Sequence, residues 1–192
     1  GLLYLDVVAY EPAKNNLQRS LDIRKEALGE QNRDTLGTMS NLGLVYSKLG
    51  LDAEAERLFR RALETGRRVL EPNDPYFLNF LFNLGDVCER QNRPEEAQRL
   101  YAEGLKASTR VSGIEDVGAA EFRSRLVRLC IRIGDFDSMA ELLKSATELD
   151  LSNSAVTDTG LQRLGSSDSL RRLVLLNTHI TDSGLAHFGN MR

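Results

Sequence analysis

The sequence predicts a mainly α chain, an α-α superhelix of stacked helical hairpins that runs into a short α/β segment. Two internal periods carry that expectation: about 42 residues over the first two-thirds of the chain and 24 over the last quarter. A third observation agrees with them, since four prolines in 192 residues leave room for long helices. Periods of this size mark supersecondary units that bury their apolar faces only against their neighbours.

At the longer offset, Asn41-Leu42-Gly43-Leu44-Val45-Tyr46 falls on Asn83-Leu84-Gly85-Asp86-Val87-Cys88. Further on, Ala55, Leu58, Phe59 and Leu63 fall on Ala97, Leu100, Tyr101 and Leu105. A weaker copy keeps the register at Leu126, Leu129, Cys130, Gly134, Met139 and Leu142, and backwards Leu3, Tyr4, Ala13 and Leu21 match as a truncated first copy. Within a copy, Met39, Leu42, Val45, Tyr46 and Leu49 recur at three and four residues, the spacing of one helix face. Gly50 and Asp52 then interrupt it, and a second helical run follows at Ala55, Leu58, Phe59, Ala62 and Leu63. The unit is therefore a helix–turn–helix hairpin, and Val111 to Ala120 reads as a loop before the third one.

Leu42-Gly43-x-x-Tyr46, then Ala55, then Phe59 and Ala62, resembles the tetratricopeptide signature in order and spacing. The longer period, with Ser20 to Gly29 leading into Asn32-Arg33-Asp34-Thr35-Leu36, is similar to the kinesin-light-chain variety, which lengthens the second helix.

From Glu148 the rhythm changes. Leu149-Asp150-Leu151-Ser152-Asn153-Ser154 and Val156-Thr157-Asp158-Thr159-Gly160-Leu161 return 24 residues later as Leu173 to Thr178 and Ile180 to Leu185. Alternation at Leu149/Leu151 and Leu173/Leu175 reads as a short strand with one buried face. Thr-Asp-x-Gly-Leu suits the start of a helix, where an Asp or Thr side chain caps backbone N–H groups. The pattern resembles leucine-rich repeats of a Thr-Asp-x-Gly-Leu type, with the hydroxyls of Ser154 and Thr178 where the commoner form has Asn. Two such units are fewer than usually stand alone, so either further units followed or the helical part caps this one. The expected division is 1–147 for the tetratricopeptide array and 148–192 for two leucine-rich repeats, joined without a Gly/Ser/Pro-rich linker.

Composition excludes several functions. A net charge of −3 gives no global case for nucleic acid or acidic membranes, and no apolar run approaches the roughly 20 residues of a membrane span. Cys88 and Cys130 share the register position of Tyr46, so they read as core fillers and not as a disulfide framework or a nucleophile. His179 and His187 have only Asp182 near them, too few ligands for zinc. Glu54/Glu56 and Glu95-Glu96 lie at helix starts, where they suit the helix dipole. Arg57, Arg60, Arg61, Arg67 and Arg68, interleaved with Glu56 and Glu64, read as a solvated face. No catalytic set, cofactor site or small-molecule substrate is expected, and a cytoplasmic location is. The amino terminus, Gly1-Leu2-Leu3-Tyr4, lacks an initiator Met and reads as part of a longer chain.

The tetratricopeptide resemblance implies a concave groove lined by the first helix of each hairpin and holding a partner peptide or protein. Carried over by register, the lining is Gly37, Ser40, Leu44, Ser47 and Lys48, then Asn79, Phe82, Asp86, Glu89 and Arg90, then Glu121, Ser124, Arg128, Ile131 and Arg132. Asn41 and Asn83 flank it as peptide-backbone partners, Phe82 serves as an apolar anchor, and Arg90, Arg128 and Arg132 serve as forks for carboxylates. The acids Asp86, Glu89 and Glu121 interrupt the Lys/Asn set of chaperone-tail clamps. The sequence thus reads as a non-catalytic interaction scaffold. The rival readings are the docking arm of a large bacterial multidomain enzyme, such as a serine/threonine kinase, and a purely structural spacer.

Overall fold

The computed structural model describes residues 2–109, 117–164 and 169–186, with side chains from residue 10 onward apart from residues 117, 163 and 164. Helices dominate it. Contacts divide the chain into two compact units, Gly1–Leu100 and Tyr101–Arg192.

The first unit holds α1 (Leu2–Leu28), α2 (Arg33–Lys48), α3 (Asp52–Val69), α4 (Pro75–Arg90) and the first half of α5 (Pro94–Thr109). α2, α4 and α5 start where capping chemistry allows. Asn32 accepts the Asp34 N–H at 2.8 Å, Asp74 accepts that of Tyr76 at 2.8 Å, and Pro75 and Pro94 occupy first helical positions that need no donor.

The turn inside each hairpin follows one pattern. After α2, the Leu51 N–H reaches the Tyr46 carbonyl at 2.9 Å and the Gly50 N–H reaches that of Ser47 at 3.1 Å. After α4 the same bonds run from Arg93 to Cys88 and from Asn92 to Glu89. In the second unit Asp135 repeats the reach to Cys130. This closure needs one left-handed residue, and Gly50, Asn92 and Gly134 supply it at φ +75°, +57° and +77°, each 42 residues from the last. Val8 stands at the corresponding place in the first copy. A β-branched residue resists that conformation, and there α1 runs on as one helix through Pro12. The first copy is accordingly a single long helix.

Aromatic side chains fill the hairpin seams. Gly43 leaves room for Phe59, whose ring would lie 2.7 Å from a Cβ at that position, and Gly66 faces Phe80 and Phe77. In the second unit Gly104 is overlain by Phe122, which also tilts against Tyr101 at a centroid distance of 6.4 Å. Phe80 and Phe122 are one period apart, and Thr38 takes their place at the first seam. There Arg24 donates to the Thr38 hydroxyl at 3.0 Å and to the Asp34 carbonyl at 2.9 Å.

The second unit continues with the rest of α5, α6 (Val117–Ile133), α7 (Phe136–Leu143), β1 (Glu148–Asp150), α8 (Asp158–Leu164), β2 (Arg172–Val174) and α9 (Asp182–Leu185). Residues 117–120, expected in a loop, open α6; the rest of that expected loop lies outside the described residues. β1 and β2 pair in parallel, Leu149 opposite Leu173. Val127 and Cys130 of α6 and Met139 and Leu143 of α7 share one core with Leu149, Leu151, Val156 and Leu161. The change of sequence period at residue 148 thus falls inside a single compact unit.

Replacing Gly43 by Ala should lower the unfolding free energy by about 1–3 kcal/mol through overpacking against Phe59, measured by urea unfolding.

Candidate functional site

α2 and α4 lie side by side and parallel. At their amino-terminal ends Arg33 donates to Asp74 at 2.8 Å and its guanidinium lies 4.4 Å from the Tyr76 ring centre. Toward their carboxy-terminal ends Arg90 donates to Ser47 Oγ at 2.6 Å, to Asp52 at 2.7 Å and to Asp86. Between these ties, Asn41, Leu44 and Lys48 share one exposed stripe of α2 at three- and four-residue spacing. Asn79, Phe82, Asn83 and Asp86 form the matching stripe of α4, with Asn79 exposed and the other three half-buried. Leu44 keeps 38% exposure, which is high for a leucine among helices this well packed.

Several expected lining positions serve the fold instead. Gly37 is buried under the Tyr76 ring, and Ser40 is buried in the seam. The small size that admits these residues to a groove wall also lets the neighbouring helix close over them. Arg90 has its donors engaged by Asp52, Asp86 and Ser47, and this pairing holds its pKa above the ordinary arginine value.

On α6, in the second unit, Arg128 donates twice to the Asp150 carbonyl, at 3.1 and 2.9 Å, and Ser124 Oγ accepts the Asp150 N–H at 3.0 Å. These two side chains, one helical turn apart, satisfy the outer edge of β1. Glu121 and Arg132 are exposed and Ile131 is half-buried. Beside this contact a cavity of about 180 Å³ is lined by Ala120, Glu121, Ser124, Glu148, Asp150 and Arg172, among others. Ser152, whose N–H donates to it at 2.8 Å, holds the Asp150 carboxyl below its ordinary range.

The acids and arginines of the second helices form a lattice in the first unit. Arg60 donates to Glu56 at 2.8 Å and to Glu96 at 2.5 Å, while Arg93 reaches Glu56 at 2.7 Å and Glu96 at 2.6 Å. Burial raises the pKa values of Glu56 and Glu96, but hydrogen bonds from Arg93 and Arg60 outweigh it and leave both below the usual value. Arg61 does the same for Glu30 through a direct hydrogen bond. Each pair is weak on an exposed surface, roughly 0.2–1 kcal/mol, and sequence reasoning saw only a solvated face because the partners in Arg61–Glu30, Arg60–Glu96 and Arg93–Glu56 are far apart in the chain.

Cys88 and Cys130 are fully buried, and burial pushes both thiols up to about 11. His179 is exposed and its backbone forms an isolated bridge with Thr157; His187 lies outside the described residues. No cluster of three metal-ligating side chains occurs among the described residues, and no described helix is long and apolar enough to cross a membrane.

The tetratricopeptide repeat family model matches residues 3–68 and 34–110. The chain belongs to the tetratricopeptide repeat family. Its fold is similar to the nearly identical TPR-like repeats of a Podosopora anserina protein named for kinesin light chain, at 15% identity and a TM-score of 0.65 over 86% of this chain and 82% of that one. A substituted form of that protein gives 18% and 0.64 over 74% and 68%. BtubC from P. vanneervenii gives 15% and 0.54 over 74% and 71%. No curated protein matches the sequence. Tetratricopeptide repeats generally mediate protein–protein interaction.

The depressed carboxyls stabilise the fold above their ordinary values, near 4.5 for the three glutamates, and that stabilisation is lost as pH falls through the folded values. The thermal midpoint should therefore hold from neutral pH to about 5 and drop below 4.5, with Arg60→Met and Arg93→Met together flattening the drop in a calorimetric pH series. Thiol titration at pH 8 should find both cysteines unreactive until urea unfolds the chain, because a buried protonated thiol is a poor nucleophile.

Proposed function

We propose that the chain is a non-catalytic interaction scaffold whose α2–α4 face holds a short segment of a partner protein. The observation that carries this reading is the double stripe of Asn41, Leu44 and Lys48 beside Asn79, Phe82 and Asn83. Asn41 and Asn79 are exposed and Leu44 is 38% exposed on helices that are otherwise closely packed. Primary amides carry both donors and acceptors, so they suit the main chain of any peptide, while Leu44 and Phe82 offer apolar contact. Lys48 lies at the end of the stripe near Asp86 and Arg90 in register, giving a mixed-charge margin. In the second unit Arg132 is the candidate for a partner carboxylate. Arg128, held on Asp150, is a weaker one, since engaging a partner would strip the edge of β1.

We further infer that residues 148–192 are two leucine-rich units, following a helical array over 1–147. Several features support this. Strands 24 residues apart pair in parallel, and Asn153 and Asn177, at the same place in the turns after them, adopt φ +57° and +53°. The Ser154 and Thr178 hydroxyls donate to the carbonyls of Leu151 and Leu175, at 2.6 and 2.9 Å, in the same turn position. Asn177 donates to Asn153 at 3.0 Å, linking the two turns.

Fluorescence-labelled peptide libraries should yield ligands that the Asn79→Ala, Asn83→Ala double variant binds roughly tenfold more weakly, the loss of one to two hydrogen bonds. Its melting temperature should stay unchanged. A library without ligands, or one whose ligands ignore both substitutions, would leave the chain a spacer.

A further inference from the structure

We propose that the cavity between α3 and the connection from α1 to α2 is a docking site for an acidic side chain, Glu or Asp, of a partner protein. The site lies wholly within the first unit. It is separate from the α2–α4 face and does not depend on the reading given to that face.

One wall of the cavity is a helix face. Arg61, Glu64, Thr65 and Arg68 recur at three- and four-residue spacing along α3. The other wall is the turn after α1, where Gly29 takes φ +82° just past the end of the helix. Glu30 and Gln31 follow it, and Arg61 donates to both carboxylate oxygens of Glu30, to Oε2 at 2.5 Å. Between the walls lies a cavity of about 270 Å³, lined by these six residues.

Two of the lining side chains have hydrogen-bonding capacity that the fold does not use. Thr65 is 6% exposed, and its hydroxyl has no hydrogen-bond partner among the described residues. One period on, the same buried position is Ala107, so the repeat packs without a hydroxyl there. A buried hydroxyl left unpaired costs stability that a ligand atom restores. Arg68 meets only Glu64 among the described residues, at 4.0 Å, with both side chains more than half exposed. Its planar fork is open to a carboxylate.

The occupant follows from charge. The hydrogen bond from Arg61 holds the Glu30 carboxyl below its ordinary range, and the charges of Arg61, Lys25 and Arg68 add to that effect. Three cations thus face two carboxylates, Glu30 and the exposed Glu64, which leaves one positive charge in excess. A single carboxylate balances that excess. A phosphate group, at about −1.5 to −2 charge, overshoots it beside two acids. Leu28 and Val69, the last residues of α1 and α3, are 51% and 41% exposed. A protein segment can cover such apolar side chains, and a small free anion cannot.

The test probes a random peptide array with the full chain and with its Asn79→Ala, Asn83→Ala variant. Peptides that keep binding the variant should carry an acidic residue, and changing that residue to the matching amide should weaken binding about tenfold. Arg68→Met and Thr65→Val should each remove most of the difference between acid and amide peptides. Glu64→Gln, which deletes a competing acid, should enlarge it. Thr65→Val should not lower the thermal midpoint, because its hydroxyl has no partner to lose. Retained binders without an acid, an acid effect that survives Arg68→Met, or phosphoserine peptides that outbind their glutamate versions each overturn the proposal. So does an array without binders. Loss of every binder in the Asn79→Ala, Asn83→Ala variant defeats this site while the α2–α4 reading stands.

Discussion

Everything in the helical part depends on one left-handed residue per hairpin. The two helices of a unit can fold back on each other only if the chain reverses within three residues and still satisfies the last carbonyls of the first helix. Gly50, Asn92 and Gly134 make that reversal, with the same pair of backbone bonds around the first two. Once the reversal is fixed, the angle between helices is set. The small residues Gly43 and Gly104 then fall under aromatic rings, and the seams close. At the first copy, where Val8 replaces the glycine, the chain stays helical and no hairpin forms.

The junction at residue 148 has a different logic. A parallel strand pair exposes an edge on each side. On the amino-terminal side α6 covers it by lending Ser124 and Arg128 to the backbone of Asp150. Arg128 suits this task because its planar fork places two donors on one carbonyl oxygen. The last helical hairpin thus closes one end of the strand-bearing part, and the core of α6 and α7 runs straight into Leu149 and Leu151.

Much of this was legible in the sequence. Self-comparison at 42 residues located the hairpins, and the shared register of Tyr46, Cys88 and Cys130 placed both cysteines in the core. The short alternations at Leu149 and Leu173 marked the strands. Less legible was the use of the polar residues. Register alone assigns Ser40, Ser124 and Arg128 to a groove wall, because it cannot distinguish a helix face open to solvent from one covered by the next element. The ties Arg60–Glu96, Arg61–Glu30 and Arg90–Asp52 were equally hidden, since each joins residues more than 30 apart.

The sequence by itself determined the unit: its length, its two helices, the glycine or asparagine that turns it and the apolar positions that bury it. These are local properties, set by spacing and backbone preference. Tertiary structure alone decided which arginines are held inside the fold and where the helical and strand-bearing parts share a core. Those outcomes depend on what lies against each face, and a period read along one chain gives the faces without their neighbours.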